Sequence, residues 1–180
     1  MKNRKSPITA LLWSFVMSGF GQLYNRDYVI GFALLVFEVL LNLKSNLNLA
    51  LKYTFQGHFL LAHQVTNFEW GLFYPSLWAF SMWQAYHHAK EINTDQGSSA
   101  NIGLTGMFLG MVVGMNVGLI IGTNKMRLFH MDNNVFASPV INGLFFGMIG
   151  ALTGTFIQKK WRRKNNHTIV NCQFPYSLSA

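Results

Sequence analysis

The sequence predicts an all-α, polytopic membrane protein with five or six spans and a C-terminal glycine-zipper helical hairpin. Three observations carry this expectation. Of 180 residues, 51% are hydrophobic and only 11% charged, whereas a soluble domain carries about 25% charged residues. The apolar residues gather into stretches near the roughly 20 residues that a membrane helix needs. A glycine returns at every fourth position, at Gly106, Gly110, Gly114, Gly118 and Gly122, within the apolar run GMFLGMVVGMNVGLIIG. In water each interior glycine costs about 1 kcal/mol relative to alanine. In a bilayer the same spacing lets a second helix backbone lie close.

Five apolar segments stand out, at 8–24, 28–43, 70–87, 102–122 and 138–158. The first follows a basic start (Lys2, Arg4, Lys5), as a signal peptide would. Residues 22–27 offer no small-x-small cleavage site, and a second apolar segment follows at once, so an uncleaved span is expected. Asn25-Arg26-Asp27 supplies turn chemistry between the first two segments, which predicts an antiparallel helical hairpin.

Five spans would leave the two basic ends on opposite sides of the membrane, against the tendency of Lys and Arg to stay cytoplasmic. The second basic cluster is Lys159, Lys160, Arg162, Arg163 and Lys164. Residues 46–67 offer a repair, with Asn48, Lys52, Gln56, His63 and Asn67 at helical spacings on an otherwise apolar surface. As a sixth span this segment would put both termini, Lys44 and Lys90 in the cytoplasm. As an amphipathic interfacial helix it would leave five spans. The charge bias favours six.

The chain divides at 1–92 (N-terminal helices, with the hairpin at 6–43), 93–101 (polar linker), 102–158 (glycine-faced hairpin) and 159–180 (basic cluster and a tail expected to lack order). Residues 6–43 combine a basic start, an apolar helix, the turn residues Gly19, Gly21, Tyr24 and Asn25, and a second apolar helix opening with Gly31. This hairpin resembles the TM-two domain family of small bacterial membrane proteins, whose paired helices are joined by a Gly-x-Gly…Tyr turn. The resemblance covers about a fifth of the chain and implies a membrane hairpin with no assigned chemistry.

Glu38 is the ionisable residue set deepest in an apolar stretch, and such a residue is a functional candidate by default. One expectation is a proton or cation site, paired with His58, His63 or Lys52. The other, which is favoured, has Glu38 reaching the headgroup region near Lys44. Asn116 is expected to hydrogen-bond a neighbouring helix. Met107, Met111 and Met115 form a stripe beside the glycines; thioethers suit Cu(I), but flexible packing is the simpler expectation. No histidine pair has a strong ligand spacing, so no metal or other cofactor is expected. The single cysteine, Cys172, excludes an intrachain disulfide.

The last apolar segment repeats the small-residue pattern with Gly143, Gly147, Gly150 and Gly154. The two glycine-faced helices are expected to pair, crossing near −40°. Such helices would diverge after about two turns, leaving part of the ladder for self-association.

Nucleophile elbows, phosphate loops and zinc-protease motifs are all missing. The expected function is that of a non-enzymatic integral protein of the cell membrane, acting through helix packing as a scaffold, assembly factor or regulatory subunit. The alternative is a small oligomeric channel or transporter for protons or cations. Expected partners are the lipid bilayer, further copies of the chain or other membrane proteins. No basic, aromatic domain remains for nucleic acid.

Overall fold

The computed structural model describes residues 4–93, 104–129 and 135–172, and these residues are helical with no strand among them. Helix α1 (Pro7–Val16) starts with Pro7 at its first position and Ser6 as its cap, the Ser6 hydroxyl accepting from the Thr9 N–H at 3.3 Å. It ends after ten residues. Gly19 then takes φ +106°, a conformation that glycine adopts without strain.

Helix α2 (Phe20–Tyr24) folds back along α1. Gly21 lies against the Ala10 carbonyl and the Ser14 hydroxyl, and the Ser6 N–H reaches the Tyr24 hydroxyl at 3.2 Å. The segment 8–24 is therefore not one spanning helix but a short hairpin with both ends at one place. The expected two-helix unit over 6–43 is built from three helices, the third being α3 (Tyr28–Ser45).

The segment 46–67 also departs from expectation. It forms α4 (Leu47–Phe55) and α5 (Phe59–Val65), separated by a turn at Gly57 with φ +76°. At about 1.5 Å per residue, neither helix approaches the roughly 30 Å of a hydrocarbon core. The excursion closes on itself: the Asn67 N–H donates to the Ser45 carbonyl at 2.9 Å, and the Asn46 side chain to the Val65 carbonyl at 3.2 Å. A sixth span made by this segment is thus corrected to a pair of short helices that return the chain to its starting point.

After α6 (Phe68–Gly71), helix α7 (Tyr74–Asn93) runs back beside α1 and α3. Its far end meets the chain start, where the Lys5 N–H donates to Asn93 Oδ1 at 2.9 Å. Its near end is tied by Trp78 Nε1, which donates to the Phe15 carbonyl at 3.0 Å. Asn93 is still helical, and the rest of the expected linker lies outside the described residues. Helix α8 (Thr105–Phe129) is antiparallel to α7, with Trp83 Nε1 donating to Thr105 Oγ1 at 3.1 Å. A 3-10 turn at Val135–Ala137 leads into α9 (Pro139–Cys172). This helix carries the basic cluster and continues seven residues past Asn165, where a tail without order is the expectation.

The bundle has two ends. The amino-terminal end gathers Lys5, Asp27, Asn93, Thr105 and Gln158. The far end gathers Ser45, Asn67 and Ser138, where Thr54 and Ser138 share a hydroxyl–hydroxyl bond of 2.8 Å. By length and composition, α3 and the stretch Pro139–Lys164 of α9 are long and apolar enough to cross a membrane.

Helices α8 and α9 pack backbone to backbone. A Cβ placed on Gly110 would collide with the Gly150 carbonyl, one on Gly114 with that of Phe146, and one on Gly118 with that of Asn142. Gly106 sits against Gly154, a Cβ there reaching 2.6 Å from the Gly154 oxygen. The four levels advance together by four residues, so the helices stay in contact from Gly106 to Gly118 and do not part after about two turns. Gly147 accommodates Met115, whereas Gly143 has only ordinary contacts, the nearest at 3.8 Å. Gly122 belongs to α8, but its surroundings lie outside the described residues.

Candidate functional site around Glu38

The break between α1 and α2 leaves backbone N–H groups at Ser18 and Gly19 without a helical partner. Such groups are costly when buried, and costlier still away from water. Two helices supply the acceptors. Glu38 of α3 takes the Ser18 N–H on Oε2, and Ser81 of α7 takes the Gly19 N–H on Oγ at 3.1 Å.

Glu38 is only 6% exposed. Its second oxygen, Oε1, accepts from the Tyr74 hydroxyl at 3.2 Å. One turn further on, the Asn42 side chain donates to the Glu38 backbone carbonyl at 3.2 Å. The carboxylate therefore turns inward to Ser18 and Tyr74. It does not reach outward beside Lys44, and its partners are not Lys52, His58 or His63.

From Ser81 a hydrogen-bonded seam continues toward the amino-terminal end. The Ser81 and Ser14 hydroxyls each donate to Gln22 Oε1 at 3.3 Å. Gln22, fully buried, donates to the Ser81 carbonyl and to Gln84 Oε1, both at 2.8 Å. Gln84 donates to Asp27 Oδ2 at 3.2 Å, and His88 Nδ1 lies 3.6 Å from the same oxygen. Along α3 the seam runs from Glu38 to Asp27, eleven residues or about 16 Å.

Tyr74 also lines a cavity of about 210 Å³, together with Phe15, Asn42, Asn48, Trp78 and Pro139 among others. Its lining is mostly apolar. Tyr74 thus both lines the cavity and donates its hydroxyl to Glu38.

The turn residues surround this site. Gly19 lies against the Gly31 carbonyl, and Gly21 against Ala85 of α7 as well as α1. Asn25 is buried and donates to the Ala85 carbonyl at 2.8 Å. The Tyr24 ring carries the Lys5 ammonium over its face at 4.6 Å from the centroid.

The remaining candidates lie elsewhere. His58 precedes α5 and is exposed, while the His63 ring packs on Phe68 with centroids 5.1 Å apart. Asn116 is on α8, and its buried Oδ1 has no hydrogen-bond partner among the described residues. Met107 and Met111 pack on the Ala79–Met82–Phe108 cluster, and Met115 on Gly147, so the methionine stripe is filler between helices. No group of three His, Cys, Asp or Glu that could hold a metal is present among the described residues.

Tyr74, Ser18, Ser14, Gln22, Ser81 and Gln84 are the members of the site that segment hydropathy does not pick out. For all of them but Tyr74 a signal exists: Ser14, Ser18 and Gln22 recur every fourth position in an apolar stretch, and Ser81, Gln84 and His88 follow the same helical spacing. Compared with known proteins, the chain matches no family model, no curated protein and no solved structure.

Proposed function

We propose that the chain is a multi-pass, non-enzymatic integral protein of the cell membrane that works through helix association, as a scaffold, assembly factor or regulatory subunit. Helices α3, α7, α8 and α9 cross, and α1–α2 enters as a re-entrant hairpin. This arrangement uses an even number of crossings. It brings Lys5, Lys90 and the Lys159–Lys164 cluster to one side, the cytoplasmic one by the charge rule. Irregular backbone at membrane depth is tolerated where protein surrounds it, as Glu38 and Ser81 surround the α1–α2 break.

The observation that carries this proposal is an inverted distribution of polarity. Ser14, Ser18, Gln22, Ser45 and Ser81 are fully buried, whereas Val16, Val29, Leu43, Phe156 and Ile157 are exposed. Water would reverse that order; a hydrocarbon solvent favours it, with small residues and hydroxyls between helices.

The test is labelling of single cysteines by an impermeant maleimide in sealed vesicles, on a Cys172→Ser background. Cysteines at Arg26 and Lys164 are expected to label from one side and a cysteine at Gln56 from the other. An Arg26 position labelled from the Gln56 side would overturn the re-entrant hairpin. Release of the protein from membranes by alkaline carbonate would overturn the membrane assignment itself. For the association role, cross-linking in native membranes should trap the chain with a further copy or a second membrane protein. A chain that stays monomeric and uncross-linked contradicts it.

A second reading, transport of protons or cations, is favoured by Glu38 alone: a carboxylate in the interior of the bundle, met by two neutral donors, one of which, Tyr74, lines a cavity. Liposomes loaded with a pH indicator test it. An acid-driven flux absent in Glu38→Gln supports it, and equal fluxes in both proteins remove it.

A further inference from the structure

We infer that the outer groove between α8 and α9 holds one anionic phospholipid, with an acyl chain along its glycine floor and the phosphate headgroup at Lys160 and Lys164. The inference rests on the membrane assignment and names the chemistry of one partner.

The groove has a volume of about 630 Å³, and among the described residues it is lined by α8 and α9 alone. Small-molecule sites commonly occupy ~300–1,000 Å³. The rims are Leu109, Val113 and Val117 on one side and Phe146, Ile149 and Ile157 on the other. Between them Gly110, Gly114, Gly150 and Gly154 carry no side chain to fill the space. Two polar side chains lie along the groove, and both are turned to backbone. Thr153 donates to the Gly150 carbonyl at 3.0 Å, and Gln158 Oε1 accepts from the Gly106 N–H at 3.1 Å. The surface left over is apolar.

This face points away from the rest of the bundle. Helix α8 meets the α7 cluster through Met107, Phe108, Met111 and Val112. Val113 and Val117 lie on the opposite side of the helix and are exposed. From Phe146 to Trp161 the groove follows α9 for fifteen residues, about 22 Å. The hydrocarbon of one leaflet is about 15 Å deep, so a chain that enters at Trp161 can lie in the groove over its whole length.

The mouth of the groove is basic. Trp161 lines that end and is exposed, and tryptophan at a helix end marks the headgroup level. Lys160 and Lys164 follow Thr153 and Ile157 at spacings of three and four, which places them on the groove side of α9. Lys159, Arg162 and Arg163 surround them, and neither α8 nor α9 contains an acidic residue.

A groove that is apolar along its floor and basic at its mouth complements an anionic amphiphile. It opposes a second copy of the chain. A second copy keeps the same orientation in the membrane, so two grooves placed face to face would bring two clusters of five basic residues to one level, like charge against like.

The test uses the full chain in vesicles of equimolar phosphatidylglycerol and phosphatidylcholine. Benzoylphenylalanine in place of Val113 cross-links, on illumination, to whatever covers the groove, and the mass of the adduct identifies it. The same probe in place of Val36, on the exposed side of α3, samples the surrounding lipid. Relative to Val36, the Val113 adducts should favour phosphatidylglycerol by about fivefold, the effect of one basic side chain on an anionic lipid. Lys160→Gln with Lys164→Gln should remove the preference. A second measurement leaves the groove unmodified: in detergent, phosphatidylglycerol should raise the thermal midpoint of the wild-type chain more than phosphatidylcholine does, and should lose that advantage in the double variant.

The same lipid ratio at Val113 and Val36, equal midpoints with the two lipids, or a preference that survives the double variant would overturn the headgroup site. A protein adduct at Val113, from a second copy or another segment of the chain, would overturn lipid as the occupant. Lipid captured at neither position would count against the membrane assignment itself, which carbonate extraction tests separately, and the lipid site would fall with it.

Discussion

The backbone N–H of Ser18 ends on the carboxylate of Glu38, so an ionisable group on α3 closes a gap in the backbone bonding of the α1–α2 hairpin. The polar residue in the apolar helix is thereby explained by what faces it. Glu38 meets a donor that the break at Gly19 exposes, and Tyr74 meets the oxygen that remains.

Replacing Glu38 by Leu should destabilise the fold by about 1–3 kcal/mol, the cost of orphaning a buried donor. Glu38→Gln keeps an amide oxygen for the Ser18 N–H and should lose less. Thermal unfolding in one detergent, followed by circular dichroism, ranks the two variants; equal midpoints would contradict the role of the Ser18 bond.

On the α8–α9 face, alanine should be tolerated or not according to depth of contact. Gly110→Ala and Gly150→Ala each push a methyl group into a backbone carbonyl, and overpacking of this kind costs about 1–3 kcal/mol. Gly143→Ala places the same methyl at ordinary contact distance from Leu119 and should leave the unfolding midpoint within error. A Gly110→Ala protein as stable as wild type would mean that the helices are not held at backbone contact.

Gln22 binds Ser14 of α1, and Ser81 and Gln84 of α7, while fully buried. Gln22→Leu leaves several of those groups unpaired and should destabilise by about 1–3 kcal/mol. The lesion should loosen the α1–α2 hairpin first, seen as faster hydrogen exchange at 18–25 than in α8.

The Thr54–Ser138 bond is the hydroxyl link between the α4–α5 excursion and the start of α9. A double-mutant cycle with Thr54→Val and Ser138→Ala should return a coupling of about 0.6 kcal/mol, the average for such bonds between membrane helices. Zero coupling would mean that the excursion does not rest on α9 in the membrane.

Much of this architecture was readable because spacing translates directly into geometry. The four-residue period of Gly106, Gly110, Gly114 and Gly118 reappears as successive levels of contact with α9. The fold-back of α1–α2 was not readable from hydropathy, because a window average over 8–24 hides Ser18-Gly19 among its neighbours. The same average treats 46–67 as one stretch and misses Gly57, whose positive φ divides it. Glu38 was conspicuous on its own, but its partners were not. Ser18 contributes a backbone group, which any residue carries, and Tyr74 comes from a helix whose approach only the assembled bundle fixes.

The bond between Asn67 and Ser45 has a consequence for how this chain could change over time. The excursion from Asn46 to Thr66 departs from and returns to a single spot, while Asn48 and Thr54 rest on the Tyr74 cavity and on Ser138. The turn at Gly57 has open space around it. Length can therefore be added there without altering how α3 faces α7, and that turn is the natural place for the chain to acquire a new surface.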